Sequence, residues 1–113
     1  MKRTPAITYD TVRKMALAMP GVEEGTSYGT PALKVKGRLF VRLREEGDVI
    51  VLKMPFEKRY ELMAADPETY FITDHYREDE WILVRLACVH RDALPGLLQT
   101  AHRAASSPRR RSR

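Results

Sequence analysis

Lys34, Lys36, Arg38, Arg42 and Arg44 fall within residues 32–44, a stretch that contains no acid. They alternate with Leu33, Val35, Leu39, Val41 and Leu43 on either side of Gly37. Alternation at period two sends successive side chains to opposite faces of a strand. The segment therefore predicts a β-hairpin with one greasy and one positive face. Lys34, Lys36, Arg42 and Arg44 share the positive face with Phe40, and Arg38 takes the turn at Gly37-Arg38. Cations so arranged suit phosphates, because contact releases counterions and gives an affinity that ignores sequence and falls with salt. Phe40 could stack on an unpaired base. The same pattern also describes a solvated edge hairpin, whose basic residues discourage pairing with other chains.

A second group, Asp74-His75-Tyr76-Arg77, lies between a short aromatic strand and the apolar run from Trp81 to Cys88. Arg77 supplies a bidentate fork for a phosphate or carboxylate, with His75 and Tyr76 beside it. A structural loop is the alternative, with Asp74 accepting backbone N–H groups and Tyr76 packing on the core. No serine or cysteine nucleophile stands in a recognisable motif, so no catalysis is expected. Cys88 and His90, with His75 and His102 remote, do not make the four-ligand constellation of structural zinc. Gly25, Gly29 and Gly37 have the spacing of turns rather than of a phosphate cradle. No metal and no cofactor are expected. Cys88, in an apolar run, predicts a buried, inert thiol.

The net charge of +5 divides unevenly. Arg109, Arg110, Arg111 and Arg113 crowd the C-terminus; without these four, the chain's 20 basic residues become 16 against 15 acids. Residues 57–80 hold eight acids against Lys58, Arg59 and Arg77, so the acidic segment opposes the basic hairpin. Such separation steers charged partners more than it adds affinity. No stretch reaches the roughly 20 apolar residues of a membrane span. A cytoplasmic protein with no membrane partner, monomeric or weakly dimeric, is the expectation.

These residues need elements to hold them. Val12, Met15, Ala16 and Met19 form the apolar stripe of a first helix that ends at Pro20-Gly21. Residues 22–31 read as a loop. Strands follow at Ala32–Lys36, Leu39–Arg44 and Val49–Lys53, and short turns make them an antiparallel meander. Pro55 opens a second helix with Phe56, Tyr60 and Met63 buried, which Asp66-Pro67 closes. Tyr70–Thr73 is a fourth strand and Glu80–Cys88 a central fifth. Leu94, Leu97, Leu98 and Ala101 mark a last helix. The order α-β-β-β-α-β-β-α predicts a two-layer α+β domain over residues 1–105, its five-stranded antiparallel sheet covered by three helices. Residues 106–113 have the composition of a disordered basic tail.

With its local wording, this order resembles the MmcQ/YjbR family, often described as DNA-binding. The stretches that carry the likeness are Ala18-Met19-Pro20-Gly21-Val22-Glu23-Glu24, the hairpin from Tyr28 to Phe40, Ala65-Asp66-Pro67-Glu68, the segment from Tyr70 to Arg77, and Trp81-Ile82-Leu83-Val84-Arg85-Leu86. Glu78-Asp79-Glu80 departs from it, where a glycine and apolar residues would be expected, and makes the second tip less welcoming to phosphate. The resemblance implies a YjbR-like fold of the type seen in secretion chaperones, and a double wing of two hairpin tips on DNA. On that reading Lys34, Lys36, Arg38, Arg42, Arg44, Phe40, His75, Tyr76 and Arg77 form the nucleic-acid-binding set. The competing reading is a protein-interaction or chaperone-like adaptor that uses the opposed basic and acidic segments. A third, a small-molecule pocket under residues 22–31, rests on the length of that loop.

Overall fold

Two Xaa-Gly turns shape the N-terminal half of the sheet. Tyr28 and Gly29 both have positive φ, as do Lys36 and Gly37. Two successive left-handed residues make the type I′ turn, whose twist matches that of the strands it joins. The first turn links β1 (Val22–Ser27) to β2 (Thr30–Val35), and the second links β2 to β3 (Arg38–Leu43). Residues 22–31 are therefore a strand and a turn rather than a loop. The turn chemistry that suggested a loop is confined to Tyr28-Gly29, while Gly25 and Pro31 are strand residues. This accounts for the length of the segment that the pocket reading rested on.

The computed structural model describes residues 7–106. Its other elements are α1 (Tyr9–Leu17), β4 (Val49–Lys53), α2 (Phe56–Ala65), β5 (Tyr70–Phe71), β6 (Trp81–Arg85) and α3 (Leu94–Ser106), with short 3-10 turns at Asp74–Tyr76 and Arg91–Ala93. The six strands form one antiparallel sheet in the order β1-β2-β3-β4-β6-β5. It is the expected α+β fold with one strand more. β6 lies inside the sheet, where its apolar run belongs. Ser106 closes α3; the rest of the expected tail, residues 107–113, lies outside the described residues.

All three helices pack on one face. Val12 and Ala16 of α1, Leu62 and Met63 of α2, and Leu94, Leu97, Leu98 and Ala101 of α3 meet Leu33, Val35, Val41, Ile50, Leu52, Ile82 and Val84. The opposite face carries a smaller cluster of Val49, Val51 and Leu83 edged by Phe71, Tyr76 and Trp81.

Phe40 does not share the basic face. It is fully buried under α3, its ring edge-on to His102 at 5.7 Å. The cause is a β-bulge: Leu33 pairs with Val41 and Lys34 with Leu39, so Phe40 has no residue opposite it. One extra residue breaks the alternation and re-aims side chains. On α2, Tyr60 is 61% exposed and Arg59 takes the buried position three residues after Phe56. Cys88 is exposed, in the turn that follows β6, instead of buried.

Candidate nucleic-acid interface

The bulge splits the basic hairpin into parts with different partners. At the tip, the Lys36 ammonium donates to the carbonyl of Ser106 at 3.5 Å, and Arg38 Nη1 donates to that of Ala105 at 3.1 Å. Both carbonyls belong to the last turn of α3, where orphan acceptors and the negative end of the helix dipole favour cations. The tip is thus fastened to the point from which residues 107–113 continue. Lys34, before the bulge, stays on the sheet and pairs with Leu39.

At its other end, β3 buries a charge. Arg42 is only 6% exposed. Its guanidinium donates to the Tyr76 hydroxyl at 2.9 Å, to Thr30 Oγ1 at 3.2 Å and to the Leu43 carbonyl at 3.4 Å. Glu45 approaches to 3.9 Å, and the Tyr28 ring lies 5.3 Å away. Arg44 pairs with Glu46 at 3.3 Å. Arg42 is spent on the protein's own loops, because a buried guanidinium must satisfy its donors internally, and the half-buried Arg44 is neutralised by Glu46.

The second candidate group is a 3-10 turn rather than a hairpin tip. Arg77 forms an ion pair with Asp74, and the ring of His75 stands edge-on to Tyr76. Tyr76 reaches across the open sheet face to Arg42 and so ties the two candidate groups together. Both β3 and β6 run antiparallel to β4, so the connections that precede them leave the same end of the sheet. Two strand spacings, about 10 Å, separate them there. Residues 74–80 set Asp74, Glu78, Asp79 and Glu80 against Arg77.

The acidic connection is held by a residue that sequence reasoning missed. Arg59, 2% exposed, donates to the carbonyls of Tyr76 (3.1 Å), Arg77 (3.1 Å), Asp79 (2.8 Å) and Trp81 (3.1 Å). Its guanidinium sits over Phe56 at 4.8 Å and Tyr60 at 5.6 Å. The signal was present: Phe56, Arg59 and Met63 share one helical stripe, and an arginine on an apolar stripe needs internal acceptors.

On the helix side, Arg13 grips Glu24 of the edge strand through two bonds, at 3.1 and 2.9 Å. That grip lowers the Glu24 carboxyl, and burial, reinforced by Glu24, pushes the neighbouring Tyr9 phenol up to about 12. Tyr70 is also raised, by burial and then by Asp66. A phenol held neutral in the fold contributes stability that is present below its unfolded value and lost as pH rises through its folded one. Thermal stability should therefore fall between about pH 10 and about 12 as Tyr9 ionises, and Tyr9→Phe should flatten that decline. Melting curves across this range provide the check.

Among the described residues, no three His, Cys, Asp or Glu side chains gather as metal ligands, and no helix is long and apolar enough to cross a membrane. Fold and interface together define a small α+β protein with an antiparallel sheet, helices on one face, and a basic hairpin locked to its last helix. Residues 17–104 match the YjbR protein-family model. The chain belongs to the YjbR family. It is also similar to the crystal structure of Deinococcus radiodurans protein DR2400, of the DUF419 domain family. That likeness has a TM-score of 0.74 at 24% identity, over 89% of this chain and 80% of the other. No curated protein matches.

Proposed function

We propose that this chain binds duplex DNA without sequence preference, through phosphate contacts made by Lys34, Lys36 and Arg38 with the C-terminal arginines. The observation that carries the reading is the fastening of Lys36 and Arg38 to the final carbonyls of α3. Arg109, Arg110, Arg111 and Arg113 follow Ser106 within seven residues of the sequence, so on this reading hairpin and tail charges act together. Arg42, Arg44 and Phe40 leave the contact set for structural roles, and so does Tyr76. Asp74 neutralises Arg77, and the acids after it turn phosphate away, so the second tip, His75 included, contributes nothing to duplex binding. No reaction is assigned to the chain.

The test is fluorescence anisotropy of a labelled duplex with the full chain. Lys36→Asn with Arg38→Gln should weaken binding on the order of tenfold at physiological salt, equally for unrelated sequences. Asparagine suits the left-handed backbone at Lys36. Unchanged affinity for this variant would overturn the assignment, whether or not replacing the four tail arginines by glutamine weakens binding.

A further inference from the structure

Apart from Lys34, the sheet face turned away from the helices takes no part in that contact, and around the part that Tyr76 covers its composition is unusual. One row of pairing partners crosses all six strands: Gly25, Ala32, Arg42, Val51, Leu83 and Phe71. The neighbouring positions on the same face include Glu23 and Lys34, which pair with each other, and Lys53 and Trp81, which do the same. Arg85 lies two residues beyond Leu83 on that face. Lys34, Lys53 and Arg85 thus share the strand positions of this face with a single acid, Glu23, while Arg42 is buried and bonded internally. Aromatic rings alternate with these cations. Arg85 lies on the ring of Phe71, its guanidinium carbon 4.0 Å from the centroid, and the Lys53 ammonium stands 4.8 Å from the centre of Trp81. Tyr28, at the rim beside Arg42, is 81% exposed.

We infer that this face is a platform for single-stranded nucleic acid, on which unpaired bases stack against Trp81, the Arg85 guanidinium and Tyr28 while Lys34 and Lys53 meet phosphates. Stacking platforms combine aromatic planes with a positive track and tolerate any sequence, because every base has a π face. An arginine held over an aromatic ring offers a second plane for stacking, and Arg85 is open to solvent. The apolar residues of the face, Val49, Val51 and Leu83, are buried beneath these side chains. Little greasy area is left for an apolar protein patch. A duplex keeps its bases stacked inside and cannot use the planes. Only Lys34 is shared with the hairpin contact; the stacking residues of the platform are different, and so is its ligand.

Trp81 is the only tryptophan of the chain, so it reports directly on its own site. The full chain carrying glutamine at the four tail arginine positions is titrated with oligo(dT), with oligo(U) and with a duplex of equal length, following Trp81 emission and the anisotropy of the labelled strand. Saturable quenching by a single strand but not by the duplex is expected; the tighter single-stranded arm identifies the sugar. Arg85→Gln with Tyr28→Asn removes exposed side chains only and should weaken single-strand binding by on the order of tenfold. Adding Lys36→Asn and Arg38→Gln should abolish duplex binding while leaving the quenching intact, which separates failure of one site from failure of the other. Three results would overturn the platform: no single-strand binding, binding with unchanged Trp81 emission, or equal quenching by polyglutamate. The last would mean that the face reads charge rather than bases.

Discussion

An Arg59→Leu variant should lose about 4 kcal/mol of stability, enough to lower the melting temperature by roughly 15 °C or more in a domain of this size. Leucine fills much of the space but donates nothing. The carbonyls of Tyr76, Arg77, Asp79 and Trp81 would all lose the guanidinium at once, while Tyr76 would keep a second bond from the Asp79 N–H at 3.4 Å and Asp79 one from the Trp81 N–H at 2.8 Å. A buried acceptor left unpaired costs about 1–3 kcal/mol, reduced where the loop can open to water. Arg59→Lys should fall between the two, since an ammonium has three donors on a narrower head and cannot reach all four carbonyls. Hydrogen exchange gives the local signature: amides in residues 72–80 should lose protection before the β2–β3–β4 core does. A loss below about 1 kcal/mol would show that water satisfies those carbonyls and that the burial of Arg59 is incidental.

Phe40→Ala should cost a similar amount, about 3–5 kcal/mol, the usual range for emptying a buried aromatic site. The ring lies in the core against His102, whose Nε2 is 2.8 Å from the Pro20 carbonyl. Its loss would therefore loosen both the bulge and the end of the α1 connection. The variant's folded fraction should still bind duplex DNA with wild-type affinity, because Phe40 presents no surface. Urea titration and anisotropy on the same preparation separate the two effects. Wild-type stability with impaired nucleic-acid binding would restore Phe40 to the ligand face.

Most of the architecture was readable from periodicity. The stripe in α1, the meander, Pro55 opening α2 and the apolar run of β6 all correspond to observed elements, because each buries one face against a partner that the pattern implies. The failures share a cause. Strict alternation puts Phe40 on the wrong face because it has no term for an extra residue, and the bulge is visible only in the pairing of Leu33 with Val41 and Lys34 with Leu39. β1 was missed because Gly25 and Ser27 look like loop residues until a neighbouring strand pairs with them. The basic cluster was legible as composition, but the division of its members between the helix end, the Tyr76 hydroxyl and open water depends on three-dimensional neighbours. Arg42 and Arg38 are the same residue type, four positions apart. One is almost wholly buried and the other lies at an exposed tip.

The most direct measurement is the salt dependence of duplex affinity for the full chain, for the variant lacking the four tail arginines, and for Lys36→Asn with Arg38→Gln. Each phosphate contact contributes about 0.9 to the slope of log K against log salt. If hairpin and tail act as one cluster, both variants should show shallower slopes, and combining them should bring the slope close to zero. If the hairpin variant keeps the wild-type slope and only loss of the tail flattens it, the folded domain plays no part in holding DNA, and the proposed interface is wrong.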